Sequence, residues 1–288
     1  LAMLSLCNGW QEKYGPDKLP ALCGWLAAAL EPLTRRYFNR KTRAAVAGAL
    51  QQAMAGGRLS DLARLLDDGD MLARDVKSLA RDRLEISAGR PIVKENERCT
   101  QLYLVESGWV FRSRGLASGR RQIVNYALPG DILCSDSLLF KASSFDLTAR
   151  TSVSCIRIEA PSGVELFDKY PGLAAAVAWT AGQEESILAE RVVSLGRRDS
   201  LEKLAHALCE LDARLSAIGQ MRGRTIELPL NQEDFADILG ISVIHVNRTF
   251  RRLSEEKTAE YRKGAIDLLD KERLAEISSF DSAYLHFD

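Results

Sequence analysis

The sequence has no excess charge of either sign, because lysine and arginine total 39 residues and aspartate and glutamate also total 39. A neutral chain has no overall field that attracts DNA or an anionic membrane, so any affinity for nucleic acid must come from a local basic patch. No apolar run approaches the roughly 20 residues that span a bilayer. The opening segment Leu1–Cys7 lacks the basic flank and the length of a signal sequence. These absences predict a cytoplasmic protein without membrane contact.

Metal ligands and catalytic motifs are also scarce. No Cys-x-x-Cys pair occurs among the cysteines, and the histidines lack the spacing of metal ligands. The sequence contains no glycine-rich phosphate loop, H-E-x-x-H motif or nucleophile elbow. We therefore expect buried or half-buried thiols without a redox role, no metal, no cofactor, and a protein that is not an enzyme. The residues concerned are Cys7, Cys23, Cys99, Cys134, Cys155, Cys209, His206, His245 and His286.

The chain is long enough, at 288 residues, for two or three domains with apolar cores of their own. Residues 1–80 have the periodicity of helices, in which Leu22, Leu26 and Leu33 belong to one apolar stripe and Gly56-Gly57 ends the run. No function follows from the residues of this N-terminal helical segment.

From about Leu84 the pattern changes to short β-rich runs, such as Leu102–Val105 and Gln122–Tyr126. Turn signals separate these runs at Gly89-Arg-Pro91, Ser107-Gly108, Ser118-Gly119 and Pro129-Gly-Asp131. The pattern predicts an antiparallel roll.

A long helix is predicted over Pro171–Leu195, where Leu188, Val192 and Leu195 belong to one stripe. The segment Gly196–Ser200 interrupts it, and a second helix with a regular apolar face follows. Periodicity alone does not distinguish a dimer helix from a helix that packs on its own roll.

Two short helices joined at a glycine are predicted further along the chain. Gly240 permits a left-handed turn after the first helix, and Ser242 is suited to cap the second. Val246, Phe250 and Leu253 recur at helical spacing on the second helix and are predicted to pack inward. This arrangement is a helix-turn-helix.

The opposite face of the second helix has the chemistry of a groove reader. Arginine bonds guanine, asparagine bonds adenine, and apolar groups meet a thymine methyl, while further cations hold phosphates. The alternative is a solvated basic helix face, but the preceding helix and glycine turn favour DNA contact. The outward residues are Val243, Ile244, His245, Asn247, Arg248, Arg251 and Arg252.

A hairpin-like segment follows the second helix. Its turn at Lys263-Gly264 lies between short extended pieces and predicts a wing. Arg262 and Lys263 at the tip either contact phosphates or belong to a salt-screened surface loop.

The segment Ala236–Leu253 closely resembles the winged helix-turn-helix of the cyclic-AMP receptor protein and Fnr superfamily. It is most similar to a bacterial branch with a Val-His-Val-Asn-Arg type of recognition helix, and Phe280-Asp-Ser-Ala-Tyr-Leu-His286 resembles the ending of that branch. The phrases Leu102-Tyr-Leu-Val-Glu-Ser-Gly108 and Leu128-Pro-Gly-Asp131 are similar to its sensor roll. The resemblance covers about residues 75–288.

This resemblance implies an α+β protein with an N-terminal helical segment (1–80), a cyclic-nucleotide-binding-like antiparallel β-roll or double-stranded β-helix (81–170), a dimer helix (171–197) and a winged helix-turn-helix (198–288). It implies a homodimeric transcription regulator that binds a roughly palindromic duplex and has RNA polymerase as a partner. Ser242 and the outward residues of the second helix are the expected DNA contacts, together with Arg262 and Lys263.

The resemblance does not extend to the phosphate-binding residues of the sensor roll. In nucleotide-binding relatives a Gly-Glu pair follows the Pro-Gly-Asp turn, and an arginine comes shortly after. This chain has Cys134-Ser-Asp-Ser137 and Ser143-Ser-Phe145 at the matching places. We expect no binding of cyclic AMP, because the phosphate lacks its cation.

The matching region still contains candidates for an effector pocket. They are Ser135, Asp136, Ser143 and Arg150, although Arg150 lies far along the chain. The pocket either takes another small molecule or serves only as a dimer scaffold. The effector, if one exists, is unknown.

An alternative hypothesis for the same fold is that the protein is an interaction module that no longer binds DNA. Acidic residues around the recognition helix support it, namely Glu233, Asp234, Asp237, Glu255 and Glu256.

Overall fold

The computed structural model describes residues 69–136, 140, 142–161, 165–166, 169–221, 223–227, 229–262 and 264–286. The predicted helices of residues 1–68, and Lys263 in the predicted wing, lie outside this range. Within the described part, no helix is long and apolar enough to cross a membrane.

The described chain divides into two compact units. In the first, helix α1 (Gly69–Leu79) groups with the described residues of Pro161–Ala176. There the carboxylate of Asp75 accepts a hydrogen bond from the backbone N–H of Leu173 at 3.0 Å. The second unit contains Ala80–Ala160 and the chain from Val177 onward.

Two four-stranded antiparallel sheets form the roll, which confirms the predicted fold class. Their strand orders are β1-β8-β3-β6 and β2-β7-β4-β5. The strands are β1 (Ala80–Ile86), β2 (Pro91–Val93), β3 (Gln101–Ser107), β4 (Val110–Gly115), β5 (Arg121–Ala127), β6 (Ile132–Leu133), β7 (Asp146–Ala149) and β8 (Val153–Glu159). In β7 alternate residues are buried, and Leu147 and Ala149 enter the core.

The turn between β3 and β4 requires glycine. Gly108 has a φ of 89°, and a Cβ there would lie 2.3 Å from the carbonyl oxygen of Ser152. Both the backbone conformation and the close approach exclude a side chain.

Helix α2 (Pro171–Arg197) follows the roll, and α3 (Ser200–Ala217) begins the C-terminal domain. Asp199 caps α3 in a reciprocal capping box with Glu202. The remaining elements are β9 (Thr225–Glu227), α4 (Gln232–Leu239), α5 (Val243–Glu255), β10 (Ala259–Arg262), β11 (Ala265–Leu268), α6 (Lys271–Ser278) and a 3₁₀ turn (Ser282–Leu285). The three strands form a small antiparallel sheet in the order β10-β11-β9.

The roll and the C-terminal domain share one apolar core. Phe111 and Ile123, from β4 and β5, are buried in the same cluster as Leu208 of α3 and Phe235 of α4. A second cluster, which includes Val105 and Val153, fills the interior of the roll. The C-terminal domain therefore packs directly on the outer face of one sheet.

A buried polar cluster lies where β5, α2, α3 and the C-terminal turn meet. The carboxylate of Glu210 accepts hydrogen bonds from the hydroxyls of Tyr126 and Tyr284, at 3.1 and 3.0 Å, and from Arg191 at 3.2 Å. Burial raises the pKa of Glu210, but Arg191 and Arg214 outweigh it and hold the pKa below its usual value.

The C-terminal phrase of the chain packs beside this cluster. The ring of His206 stacks on Tyr284 and meets the edge of Phe280, with centroids 5.9 and 5.2 Å away. Gln183 of α2 donates a hydrogen bond to the carbonyl of Leu285 at 2.6 Å. These contacts hold the end of the chain on both α2 and α3.

The described cysteines are buried, as expected from the sequence. Burial raises the pKa of Cys209 to about 12 and that of Cys155 to about 11. A hydrogen bond with Cys99, followed by burial, raises the pKa of Cys134. Thiols in this state are poor nucleophiles at neutral pH.

Stability should depend on the neutral form of His206. Burial, together with the guanidinium of Arg198, lowers the pKa of His206 from 6.5 to about 4. Because the pKa in the folded state lies below that in the unfolded state, this stability is present above about pH 6.5 and is lost as the pH falls towards 4. From this group alone we expect the free energy of unfolding to fall by about 2 kcal/mol between roughly pH 7.5 and pH 5, measured by urea titration.

The control is His206→Gln, which keeps an N–H donor for Glu190, the acceptor that lies 3.2 Å from Nε2 of His206. This variant should lose less stability over the same interval. An equal loss in both proteins would contradict the assignment.

Candidate nucleic-acid interface

Reciprocal caps and one glycine position the two helices of the helix-turn-helix. The side-chain oxygen of Asn231 accepts a hydrogen bond from the backbone N–H of Asp234 at 2.9 Å. In return, the carboxylate of Asp234 accepts a hydrogen bond from the backbone N–H of Asn231, also at 2.9 Å. Gly240 ends α4 in the left-handed conformation, with a φ of 64°. Ser242 caps α5 by accepting from the backbone N–H of His245 at 3.3 Å. The turn at Gly240 and the cap at Ser242 lie where the sequence predicts them, and the capping box at Asn231 is found only in the structure.

The inward face of α5 is packed as its spacing predicts. Val246, Phe250 and Leu253 are buried, and the rings of Phe235 and Phe250 meet edge to face at 5.2 Å. Thr249 is buried as well, and its hydroxyl donates to the carbonyl of His245 at 2.8 Å. Helices α4 and α5 are thereby joined by a rigid aromatic contact.

All the residues predicted to face outward on α5 are exposed, together with Ser242. Ile244 is 73% exposed, which no packing within the described chain explains. A large exposed apolar side chain at the start of a helix that carries exposed arginines is suited to a surface that covers it on binding. The exposed group is Ser242, Val243, Ile244, His245, Asn247, Arg248, Arg251 and Arg252.

The polar groups on this face differ in how they are held. Arg251 and Arg252 pair with Glu255 and Glu256 one turn later, at 2.9 and 2.8 Å. Within the described residues, Arg248 makes no ion pair, so its guanidinium is available to a ligand.

Two further side chains of this face bond to their own helix. The Nδ2 of Asn247 donates to the carbonyl of Val243 at 3.1 Å. The Nδ1 of His245 lies 2.8 Å from the hydroxyl of Ser242.

The wing is present as the hairpin of β10 and β11, in which Arg262 is opposite Ala265. Arg262 pairs with Asp267, which also accepts from the hydroxyl of Thr225 at 2.7 Å. These two contacts, with the hydrogen bond from Thr225 as the larger cause, lower the pKa of Asp267. Arg262 is therefore held along the wing, while Lys263 lies outside the described residues.

Only two of the four residues predicted to form an effector pocket line the same cavity. A cavity between the roll and α2 is lined by Asp136 and Ser143, but neither Ser135 nor Arg150 lines it. Arg150 instead contacts Asp234 of α4 at 2.7 Å. Arg150 was a candidate only because it follows the other pocket residues in the chain. Position in the chain does not show which way a side chain points.

Two arginines that sequence reasoning missed also line the cavity. Arg112 pairs with Glu184 of α2, and Arg214 of α3 donates to the side chain of Asn125 at 2.9 Å and contacts Asp131 at 3.3 Å. Burial raises the pKa of both Glu184 and Asp131. No local pattern marks these arginines, because their partners are distant in sequence.

Comparison with known proteins gives two matching family models. A cyclic nucleotide-binding domain matches residues 83–170, and a Crp-like helix-turn-helix domain matches residues 202–277. The nitrogen fixation regulation protein FixK of Bradyrhizobium diazoefficiens is 32% identical over 223 residues, which cover 77% of this chain and 91% of that protein. The chain belongs to the Crp/Fnr family of transcription regulators.

Other members of the Crp/Fnr family are similar over much of the chain. The transcriptional activatory protein AadR of Rhodopseudomonas palustris is 28% identical over 182 residues, 63% of this chain and 75% of AadR. The structure of FixK2 from Bradyrhizobium japonicum has a TM-score of 0.63 at 23% identity and covers 69% of this chain and 98% of its own. At 23% identity, the similarity between the two structures shows that the two proteins share a fold.

The Crp-like match begins in α3 and ends in α6, so it includes every described residue of the predicted DNA contacts. The named resemblance is thus confirmed at the level of the Crp/Fnr family. The particular recognition-helix signature stays a prediction.

Proposed function

We propose that this Crp/Fnr protein is a homodimer that binds a roughly palindromic duplex through α5. The observation that carries the proposal is the exposed outward face of α5. On this face Arg248, which has no ion pair among the residues that the structure describes, adjoins exposed apolar side chains. In a dimer, two such helices enter successive major grooves about 34 Å apart.

Each residue of the face has a chemical role in this proposal. His245, Asn247 and Arg248 contact base edges or the adjacent phosphates, and Val243 and Ile244 meet thymine methyl groups. Phosphates are held by Ser242, Arg251, Arg252, Arg262 and Lys263. The ion pairs of Arg251 and Arg252 are exposed, so opening them costs only about 0.3–0.5 kcal/mol each.

Local charge pairing argues against the alternative, a module that no longer binds DNA. That alternative rests on the acidic residues near α5. Glu255 and Glu256 are paired with arginines of α5, and Asp234 and Asp237 are paired with Arg121 of the roll. The charges of Asp234 and Asp237 are therefore offset by an arginine that DNA contact does not require, and those of Glu255 and Glu256 are offset until phosphates engage Arg251 and Arg252.

An exposed stripe on α2 supports the dimer. Its residues recur at alternating spacings of four and three, which is the pattern of a coiled-coil seam. Val192 is 70% exposed, and the small side chains beside it allow a second helix to approach closely. The stripe is Ala178, Gly182, Glu185, Ala189, Val192 and Gly196.

The stripe differs from the one predicted from sequence. Val192 belongs to both, but Leu195 is only partly exposed and approaches Gly240, where a Cβ would lie 3.0 Å from its Cδ2. Leu195 therefore packs against Gly240 of its own protomer and does not belong to the seam.

We also propose that the cavity does not bind cyclic AMP. Serine stands at position 143, and the two arginines of the cavity already pair with acidic groups of the chain. The cavity either takes another small molecule or serves as a scaffold for the dimer. As a bacterial regulator of transcription, the protein would act in the cytoplasm, with RNA polymerase as a partner.

The proposal as a whole is tested by selection of bound fragments from random duplex DNA. A two-fold motif is the expected result. Recovery of no motif would overturn DNA recognition.

Arg248→Ala should weaken binding to the selected site by about 1–3 kcal/mol, a roughly 5- to 150-fold rise in Kd, and leave the dimer intact. The reason is loss of a guanidinium that contacts a base edge or the phosphate beside it. Arg83→Ala is the control, because Arg83 is an exposed arginine of β1. Fluorescence anisotropy titration measures both, and equal affinities would count against the role of Arg248.

Val192→Glu should raise the dissociation constant of the dimer by on the order of 100-fold, because it buries two unpaired carboxylates at the seam. Sedimentation analysis measures the change. Leu116→Glu is the matched control, since Leu116 is 58% exposed on the turn after β4. A dimer that persists in the Val192 variant would remove α2 as the interface.

Cyclic AMP should give no saturable heat in calorimetric titration up to about 1 mM, because the cyclic phosphate finds no available cation. The affinity for the selected DNA should also be the same with and without the nucleotide. Saturable binding would show that the cavity rearranges.

A further inference from the structure

Helix α4 is held by the roll at its N-terminal end. Asp234 accepts from Nε of Arg150 at 2.9 Å and from Nη2 of Arg121 at 3.2 Å. The same carboxylate completes the capping box of α4 by accepting from the backbone N–H of Asn231, and the Asp234 side chain is only 5% exposed. A carboxylate so buried requires its partners, unlike an exposed surface pair.

The roll also holds the C-terminal end of α4. Gln122 of β5 donates to the carbonyls of Asp237 and Ile238, at 2.6 and 3.1 Å. Such terminal carbonyls have no partner within their own helix. Arg121 completes the contact with a 2.6 Å bond from Nε to the carboxylate of Asp237. We name these bonds, from Arg121, Gln122 and Arg150 to α4, the roll–α4 contact.

The surroundings restrict the two guanidiniums further. Those of Arg121 and Arg150 lie 5.7 and 5.8 Å from the ring centroid of Phe111, within the range of a cation–π interaction. The turn after α4 lies against the end of α2, where a Cβ built on Gly240 would lie 3.0 Å from Cδ2 of Leu195. Helix α4 therefore has one orientation relative to both β5 and α2.

We infer that the roll–α4 contact sets the spacing between the two recognition helices of the dimer. Arg121, Gln122 and Arg150 are positioning residues that act through α4. Helix α5 follows α4 through the contact of Phe235 with Phe250, and α2 carries the seam. The inference rests on the proposed function, since spacing has meaning only for a dimer on DNA.

Spacing is a sensitive readout of this geometry. Each added base pair moves a half-site by about 3.4 Å along the duplex and rotates it by roughly 34–36°. A dimer with fixed recognition helices cannot follow that change without deforming the DNA or itself. A dimer whose recognition helices are free to reorient can adjust to the new position of the half-site.

The test uses the full-length dimer and three duplexes that carry the selected half-sites with the selected spacer, or with one base pair added or removed. Wild type should prefer the selected spacer by about tenfold or more, and Arg121→Gln/Arg150→Gln should prefer it by about threefold or less. A fourth duplex with one half-site scrambled should bind both proteins equally, which a general loss of folding or of DNA contacts would not produce.

Arg157→Gln is the matched control. Arg157 is 33% exposed against 30% for Arg150, and it pairs with Asp82 at 2.6 Å on the other sheet of the roll. This variant should keep the wild-type spacer preference.

Asp234→Asn/Asp237→Asn alters the same contact from α4, keeps a capping oxygen at position 234, and should relax the preference equally. Combining all four substitutions should relax it no further, because the contact is already lost. The second variant also decides the matter if the first fails to fold.

The outcomes separate the two proposals. A spacer preference that persists in both variants overturns the positioning role and leaves DNA recognition standing. A wild-type protein that selects no two-fold site overturns the proposed function itself.

Discussion

The buried carboxylate of Glu210 joins the roll, the long helix α2 and the C-terminal domain. It accepts hydrogen bonds from β5, α2 and the C-terminal turn, and it is carried by the first helix of the C-terminal domain. A charge in that position is tolerated only when its partners are in place. Because those partners come from elements far apart in the chain, none of them can shift alone without removing a hydrogen bond from a buried charge. The roll, the long helix and the C-terminal domain are thus interdependent.

Apolar packing and polar contacts have different parts in this arrangement. The core shared by β4, β5 and the C-terminal domain excludes water, but apolar attraction is non-directional and permits sliding. Hydrogen bonds and ion pairs depend on angle and distance, so the bonds from Arg121, Gln122 and Arg150 select one orientation. The same division is seen at the cavity, where Arg214 contacts both Asp131 and Glu210. One guanidinium therefore belongs to the cavity and to the polar cluster at once.

The surface left without such contacts is the outward face of α5. The other parts of the helix-turn-helix make contacts within the chain. Helix α4 contacts the roll, the turn contacts α2, and Phe250 of α5 packs on Phe235 of α4. What remains exposed combines Arg248, which has no ion pair within the described chain, with the apolar Ile244. A rigid support and an unsatisfied face are what recognition of a fixed ligand requires. The proposed DNA-contact surface is this face, which lies within the segment that matches the Crp-like helix-turn-helix domain.

The elements with local signals were predictable from the residues alone: the cap at Ser242, the glycine turn, the inward face of α5, the antiparallel roll and the Crp/Fnr family. These depend on neighbours within a few residues, so spacing reveals them. The partners of the charged side chains became known from the folded coordinates alone. Arg150 meets Asp234 across 84 positions and Arg121 meets Asp237 across 116, and Arg214 faces the cavity from another domain. Charge has no periodicity that identifies its partner, and the energy of such a pair depends on burial and geometry that exist only after the chain has folded.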